Sequence, residues 1–175
     1  MKLFLIGYMG SGKSSVGRRL SEKLKMDFID FDDHIEKEYG KTITEIFDTE
    51  GEEKFRELEH QHLKTFLKKN NIIVSLGGGT PCYHNNIELI NENSISVYIE
   101  MSVDALVKRL AKAKNKRPLI RDMNEFDLKF FIESNLKKRI PIYRKAHISI
   151  NAENLSEEQL AEIIVKSLEG IENRE

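Results

Sequence analysis

Along the chain, short apolar runs alternate with longer segments whose apolar residues recur at helical spacing, the pattern of βα units around a parallel sheet. Five strands are predicted, at Leu3–Ile6, Asp27–Asp30, Ile72–Leu76, Ser96–Ile99 and His147–Ile150. Helices are predicted over Lys13–Lys25, Gly51–Lys69, Asn85–Asn91, Val103–Lys112, Asp127–Ile140 and Glu157–Leu168. The last opens on Ser156-Glu157-Glu158-Gln159, the spacing of a capping box, and sets Leu160, Ile163, Ile164 and Leu168 on one face. Pro118 and Pro141 read as turns or breaks, and Ala111–Glu125 as an irregular, basic surface segment. No internal repeat and no Pro/Ser-rich linker divides the chain, so a single domain over residues 1–175 is expected.

Composition narrows the function classes. A net charge of -1 provides no global basic field for nucleic acid or an anionic membrane, so any phosphate site must be local. Cys82 is the single cysteine, which rules out an internal disulfide and fits a reduced compartment. The apolar start stops at Gly7, short of the roughly 7–15 residues of an export signal core. No stretch approaches the roughly 18 apolar residues of a membrane span. A cytoplasmic monomer without membrane or nucleic-acid partner is the expectation.

The stretch behind the first predicted strand carries the first chemistry. Gly7-Tyr8-Met9-Gly10-Ser11-Gly12-Lys13-Ser14 satisfies the pattern G-x-x-x-x-G-K-S/T, with a strand before it and a helix after it. Glycines let the backbone curl its N–H groups toward phosphate oxygens, and the helix adds the positive end of its dipole. Lys13 would reach the β- and γ-phosphates of a nucleotide, and the Ser14 hydroxyl would ligate Mg²⁺. The competing reading is a plain Gly-rich turn, which the strand–helix context disfavours.

Other groups add to this socket. Asp30 and Asp32 stand two apart at a strand end, so an extended chain would turn both carboxylates the same way, toward a metal or a hydroxyl. The alternative is a polar strand end capping a helix, with Asp33 a further candidate. In Gly51–Glu59, Phe55 and Leu58 read as buried and the charges as mostly solvated; Arg56 alone reads as a surface arginine. The apolar run Ile72–Leu76 enters Gly77-Gly78-Gly79-Thr80-Pro81, where glycines would open the backbone to a small ligand. Lys112, Lys114, Lys116, Arg117 and Arg121 form a basic segment, either a solvated loop, an RNA contact or a loop closing over phosphate. His60 and His62 point to different helix faces, which argues against zinc, and Cys82 has no paired histidine. Tyr8 and Met9 read as packing and wall residues.

Taken in order, these motifs resemble the shikimate kinases. The match runs through the socket extended as Ser14-Ser15-Val16-Gly17-Arg18, Asp30-x-Asp32, Gly51-Glu52 with Phe55-Arg56 and Glu59, and Gly77-Gly78-Gly79-Thr80-Pro81. It continues through Arg117-Pro118-Leu119 and Arg139-x-Pro141-x-Tyr143. The resemblance implies an α/β, three-layer P-loop kinase fold with a five-stranded parallel sheet flanked by helices. It also implies a substrate-binding helical segment at about 31–60 and a lid at about 111–125. The implied reaction moves the ATP γ-phosphoryl group to the 3-hydroxyl of shikimate, on the way to chorismate and the aromatic amino acids.

Carried over by position, Asp32, Arg56, Gly77, Gly78, Gly79 and Arg139 hold shikimate. Gly10, Ser11, Gly12, Lys13, Ser14 and Ser15 hold ATP, Ser14 and Asp30 hold Mg²⁺, and Arg117 faces the transferred phosphate. Lys13, Asp32 and Arg117 are the expected catalytic set. Arg109 is the candidate adenine contact, with a second contact expected around Asn151–Asn154. Two arginines suit a carboxylate through bidentate charge-assisted bonds, and Asp32 suits a base for a hydroxyl. A gluconate-type kinase and a non-catalytic nucleotide-binding module are the rival readings. The first gives no reason for two carboxylate-gripping arginines, and the second predicts loss of residues that are present here.

Overall fold

The computed structural model describes residues 1–113 and 118–172. Strands β1 (Lys2–Ile6), β2 (Asp27–Asp30), β3 (Ile72–Ser75), β4 (Ile95–Glu100) and β5 (Ile148–Asn151) form one sheet in the order β2-β3-β1-β4-β5. Every pairing is parallel, with Leu3 of central β1 opposite Ile73 on one side and Ile95 on the other. Leu3, Phe4, Leu5 and Ile6 are all fully buried, which is why this strand reads as an unbroken apolar run: both faces of the sheet are covered.

The covering helices are α1 (Lys13–Leu24), α2 (Phe31–Tyr39), α3 (Ile43–Leu67), α4 (Asn86–Asn93), α5 (Val103–Lys112), α6 (Glu125–Tyr143) and α7 (Glu157–Glu172). Right-handed crossovers dictate their placement. The chain leaves β1 for β2 in one direction and β3 for β4 in the other, so α1 lies on one face and α3 to α6 on the opposite face. Helix α7 returns to pack on α1, and α5 packs on α6. The direction reverses at β1, so the loop behind β1 opens into a crevice at the carboxyl ends of the strands, where doubly wound sheets bind ligands. Among the described residues no helix is long and apolar enough to cross a membrane.

All five predicted strands are present, their ends shifted by at most a residue or two. Helix α2 and the Ile43–Glu50 part of α3 lie beyond what hydrophobic periodicity predicts. Only Phe31 and Ile35 are buried in α2, too few to show a period. The start of α3 is set instead by a capping box, in which the Thr42 hydroxyl accepts from Glu45 N and the Glu45 carboxylate accepts from Thr42 N. Gly51 (φ 86°) kinks α3 and marks where the predicted Gly51 helix begins.

Pro141 does not break its helix, contrary to expectation, because it falls in the last turn of α6. The missing N–H removes a single bond there, while Arg144 N still donates to Ile140 O at 2.9 Å. The described residues of Ala111–Glu125 are also less irregular than expected. Ala111 and Lys112 complete α5, Pro118–Ile120 forms a 3-10 turn, and Ile120 is fully buried. The capping box predicted at Ser156 is formed: Gln159 N donates to Ser156 Oγ, and Ser156 N to Gln159 Oε1.

Candidate functional site

Between β1 and α1 the chain curls through Gly10 (φ 82°) and Gly12 (φ 97°), backbone angles that an L side chain would strain. Gly12 caps α1 and aims the positive end of the helix at the crevice. Lys13 is 8% exposed, and its Nζ donates to Gly7 O at 2.9 Å and Tyr8 O at 3.0 Å. Ser14 Oγ donates to Asp30 Oδ2 at 2.5 Å and lies 3.2 Å from Ser75 Oγ. Arg109, reaching over from α5, directs Nη1 at Gly10 O (3.3 Å) and Ser11 O (3.4 Å). The Ser11 hydroxyl is buried and has no hydrogen-bond partner among the described residues.

Lys13, Ser14, Asp30, Ser75 and Arg109, with Ser15, Asp32, Asp33 and Gly78, line a cleft of about 440 Å³. The Ser14–Asp30 pair is a hard-oxygen donor set of the kind Mg²⁺ takes. Among the described residues no cluster of three His, Cys, Asp or Glu could cage a metal alone, so a cation here would share its coordination with phosphate oxygens.

A second cleft, of about 360 Å³, shares Met9, Asp32, Asp33 and Gly78 with the first and is also lined by Arg56, Glu59 and Arg139. Arg56 is not the surface arginine that its local sequence suggests; it is 8% exposed. Its Nη1 donates to Glu59 Oε2 at 2.5 Å, and its Nε and Nη2 donate to Glu52 Oε1 at 3.2 and 3.0 Å. The Tyr83 ring lies 4.4 Å from its Cζ, and Tyr83 OH donates to Glu52. Glu59 is 1% exposed and also accepts from Thr80 Oγ1, so the Arg56 guanidinium is fixed from three sides.

The three glycines act by their lack of a side chain. A Cβ on Gly77 would sit 2.5 Å from Asp32 Oδ1, and one on Gly79 would sit 2.6 Å from Arg56 Nη1. On Gly78 it would meet Arg139 Nη1 at 3.2 Å. Each glycine therefore makes room for one charged side chain, a tighter requirement than the open backbone expected of the motif. Arg139 is half-buried near the end of α6, with its Cζ 5.5 Å from the Tyr8 ring centroid. Tyr143, fully buried one turn on, donates its hydroxyl to Gly78 O and packs on Tyr98 at 5.2 Å between centroids.

Asp32 stands half-buried in the first turn of α2. Burial, with Glu59 and Asp30 nearby, pushes its pKa up to about 7, against the opposing pull of Lys13. The Asp30–Asp32 spacing does not work as an extended pair, since the chain turns into α2 at Phe31. Both residues still line the 440 Å³ cleft, because strand end and helix start meet there.

The remaining expectations divide. Arg117 lies outside the described residues, as do Lys114 and Lys116. Ala152, in the stretch expected to contact adenine, lines a small cleft of about 110 Å³ with Ser11, Gly12, Arg109 and Glu157. His60 meets His84 and His62 meets His34, both at 5.2 Å between ring centroids, so the two do point apart. Burial pushes the Cys82 thiol up to about 11, which leaves it protonated and a poor nucleophile at neutral pH. Met9 lines both clefts as a wall, and Tyr8 is packed beneath them at 2% exposure. Glu59, Thr80 and Tyr143 stand in the sequence motifs without an assigned role, and Ser75 only inside the apolar run Ile72–Leu76. Only Glu59 carries a local signal, its i,i+3 spacing from Arg56.

The chain is similar to known proteins along most of its length. The family model described as shikimate kinase matches residues 9–169. A shikimate kinase of Azobacteroides pseudotrichonymphae genomovar. CFP2 is 46% identical over 148 residues, 84% of this chain and 87% of that protein. The crystal structure of shikimate kinase from Bacteroides thetaiotaomicron superposes with a TM-score of 0.90 at 37% identity, covering 99% of this chain and 98% of that one. Shikimate kinase from Acinetobacter baumannii, solved in complex with shikimate, gives a TM-score of 0.88 at 34% identity over 97% of this chain and 93% of that one. A glycine-rich loop carrying Lys13 and Ser14 beside a two-arginine cleft is thus found in a chain matched along nearly its whole length, and the chain belongs to the shikimate kinase family.

Proposed function

We infer that the chain carries out the reaction of its family: transfer of the γ-phosphoryl group of ATP to the 3-hydroxyl of shikimate, giving shikimate 3-phosphate for chorismate and aromatic amino acid synthesis. The observation that carries this reading is the adjacency of the two clefts. The socket of Lys13 and Ser14 shares Asp32, Met9 and Gly78 with a pocket holding two guanidinium groups. A carboxylate gripped by Arg56 and Arg139 would set a ring hydroxyl beside Asp32, facing the phosphate loop. A pKa near 7 makes Asp32 a competent proton acceptor at neutral pH, and its position lets it hold the hydroxyl in line.

In this reading Gly10, Ser11, Gly12, Lys13, Ser14 and Ser15 hold the phosphates, and Arg109 flanks the base. Mg²⁺, held by Ser14 and Asp30, would neutralise charge on the β- and γ-phosphates. Arg117 is assigned to the transferred phosphate on the strength of its motif. The segment about 31–60 binds the acceptor and the segment about 111–125 is the lid of a single kinase domain. The protein is taken to act as a cytoplasmic monomer.

A coupled assay of ADP release with Mg-ATP tests the reading. Turnover is expected with shikimate and not with gluconate. Turnover with gluconate and none with shikimate would overturn it.

A further inference from the structure

The two arginines of the acceptor cleft are held in different ways. Arg56 is bonded to two carboxylates, Glu52 and Glu59. Among the described residues no carboxylate lies within ion-pair distance of Arg139. What its guanidinium meets instead is aromatic: the face of Tyr8 at 5.5 Å from Cζ to centroid, with the Tyr143 hydroxyl beside it. That separation falls within the roughly 6 Å over which a ring quadrupole attracts a cation, and the Tyr8 ring is buried, where the attraction is less screened.

Tyr8 belongs to the phosphate loop, not to α6 or to the substrate-binding helices. Its carbonyl accepts from Lys13 Nζ at 3.0 Å and from Ser11 N at 3.1 Å, so its backbone is part of the socket. Its hydroxyl is buried without a hydrogen-bond partner among the described residues. The hydroxyl therefore does not account for the tyrosine; the ring face does.

We propose that Tyr8 is a positioning residue for the acceptor, its ring holding the Arg139 guanidinium in the orientation that receives the acceptor carboxylate. A cation held by a ring face keeps its in-plane N–H donors free for a planar anion, whereas one held by a carboxylate would have them occupied. One residue thereby fixes the lysine of the phosphate side through its backbone and the arginine of the acceptor side through its ring. This rests on the proposed shikimate kinase activity and deepens it.

The test replaces Tyr8 by Phe, by Leu and by phenylalanines of increasing ring fluorination, which keep shape while weakening the face potential. With the ring kept, Tyr8→Phe is expected to hold the acceptor KM within about twofold of the native chain. Tyr8→Leu should raise it about 5- to 30-fold, the range of a partly buried cation–π contact. The ATP KM should stay within about twofold throughout, because the Tyr8 carbonyl is present in every variant. The fluorinated series should raise the acceptor KM stepwise, and it keeps the test valid if the Leu variant fails to fold. A flat fluorinated series, or equal rises in both KM values, would overturn the proposal. A native chain without shikimate turnover would instead overturn the activity on which it rests.

Discussion

Replacing Gly79 by alanine tests whether the triple glycine exists to seat charged side chains. The new Cβ would lie 2.6, 2.7 and 2.8 Å from Nη1, Nη2 and Cζ of Arg56. Reaching ordinary contact at 3.4 Å demands that the guanidinium retreat by about 0.8 Å. Most arginine heads could do that at small cost, but this one is bonded to Glu59 at 2.5 Å and to Glu52, with Tyr83 packed on it. Retreat breaks charge-assisted bonds worth about 1.5–3 kcal/mol each, and staying imposes an overpacking strain of about 1–3 kcal/mol.

Two readouts follow from Gly79→Ala. At about 1.4 kcal/mol per tenfold, the shikimate KM should rise roughly 10- to 100-fold, with the ATP KM within about twofold. The Tm should fall by about 2–10 °C for a chain of this size. Gly78→Ala is the internal comparison: its nearest neighbour is Arg139 Nη1 at 3.2 Å, with no carboxylate pinning it, so an effect of only a few-fold is expected. Coupled ADP-release kinetics and thermal melts measure both. A Gly79→Ala protein with native shikimate KM and native Tm would refute the reasoning.

Asp32→Asn should lower turnover by at least about 10²-fold yet stabilise the chain at pH 8. The folded chain holds the Asp32 proton up to about pH 7 against an ordinary value of 3.8, so the ionised group disfavours folding by roughly 2–4 kcal/mol above pH 7, and not at all below about pH 4. Melts across that range should show a gain at pH 8 that vanishes near pH 4; the reverse order would contradict the assignment. Glu59→Ala removes the buried partner of Arg56 and Thr80, and denaturant unfolding should show a loss of about 3–5 kcal/mol. A loss below about 1 kcal/mol would mean that the pair is not the anchor described here. Gly17→Ala sets a Cβ 2.3 Å from Phe28 Cε2 and should cost about 1–3 kcal/mol with both KM values unchanged. The cost should shrink in a Phe28→Leu background, and an undiminished cost there would point to the helix rather than to this contact.

The parts legible in the sequence are those whose physics is local. The four-residue apolar run Leu3–Ile6 of β1 needs only its own composition, and Gly7–Ser14 is eight consecutive residues between a strand and a helix. Helix α2 hides because its neighbours bury only two of its nine residues. The burial of Arg56 hides for a different reason. Its surroundings include Thr80 and Tyr83, more than twenty residues onward, and nothing in Gly51–Glu59 announces their arrival. The Asp30–Asp32 pair misleads because the period of two holds only while the strand continues, and the strand ends at Asp30.

The same distinction bears on how the two arginines divide their work. Glu59 and Glu52 already compensate much of the Arg56 charge, so in the proposed reading a ligand carboxylate there would gain geometry more than net attraction. Glu59 in turn is buried, and a carboxylate held that close to Asp32 helps lift the Asp32 pKa toward neutrality. The anchor of Arg56 is thus also part of what keeps Asp32 able to take a proton. Arg139, set against the Tyr8 ring, has no ion pair among the described residues, and in the proposed reading the larger share of the attraction for an anionic acceptor would fall to it. A second fully paired arginine in its place would retain the shape of the cleft and lose much of its pull on a carboxylate. Pairing one arginine and leaving the other against an aromatic face gives the cleft a fixed frame together with one guanidinium that has no ion pair among the described residues. Both depend on glycines 77 to 79 having no side chains, because the three charged groups converge on the space those side chains would fill.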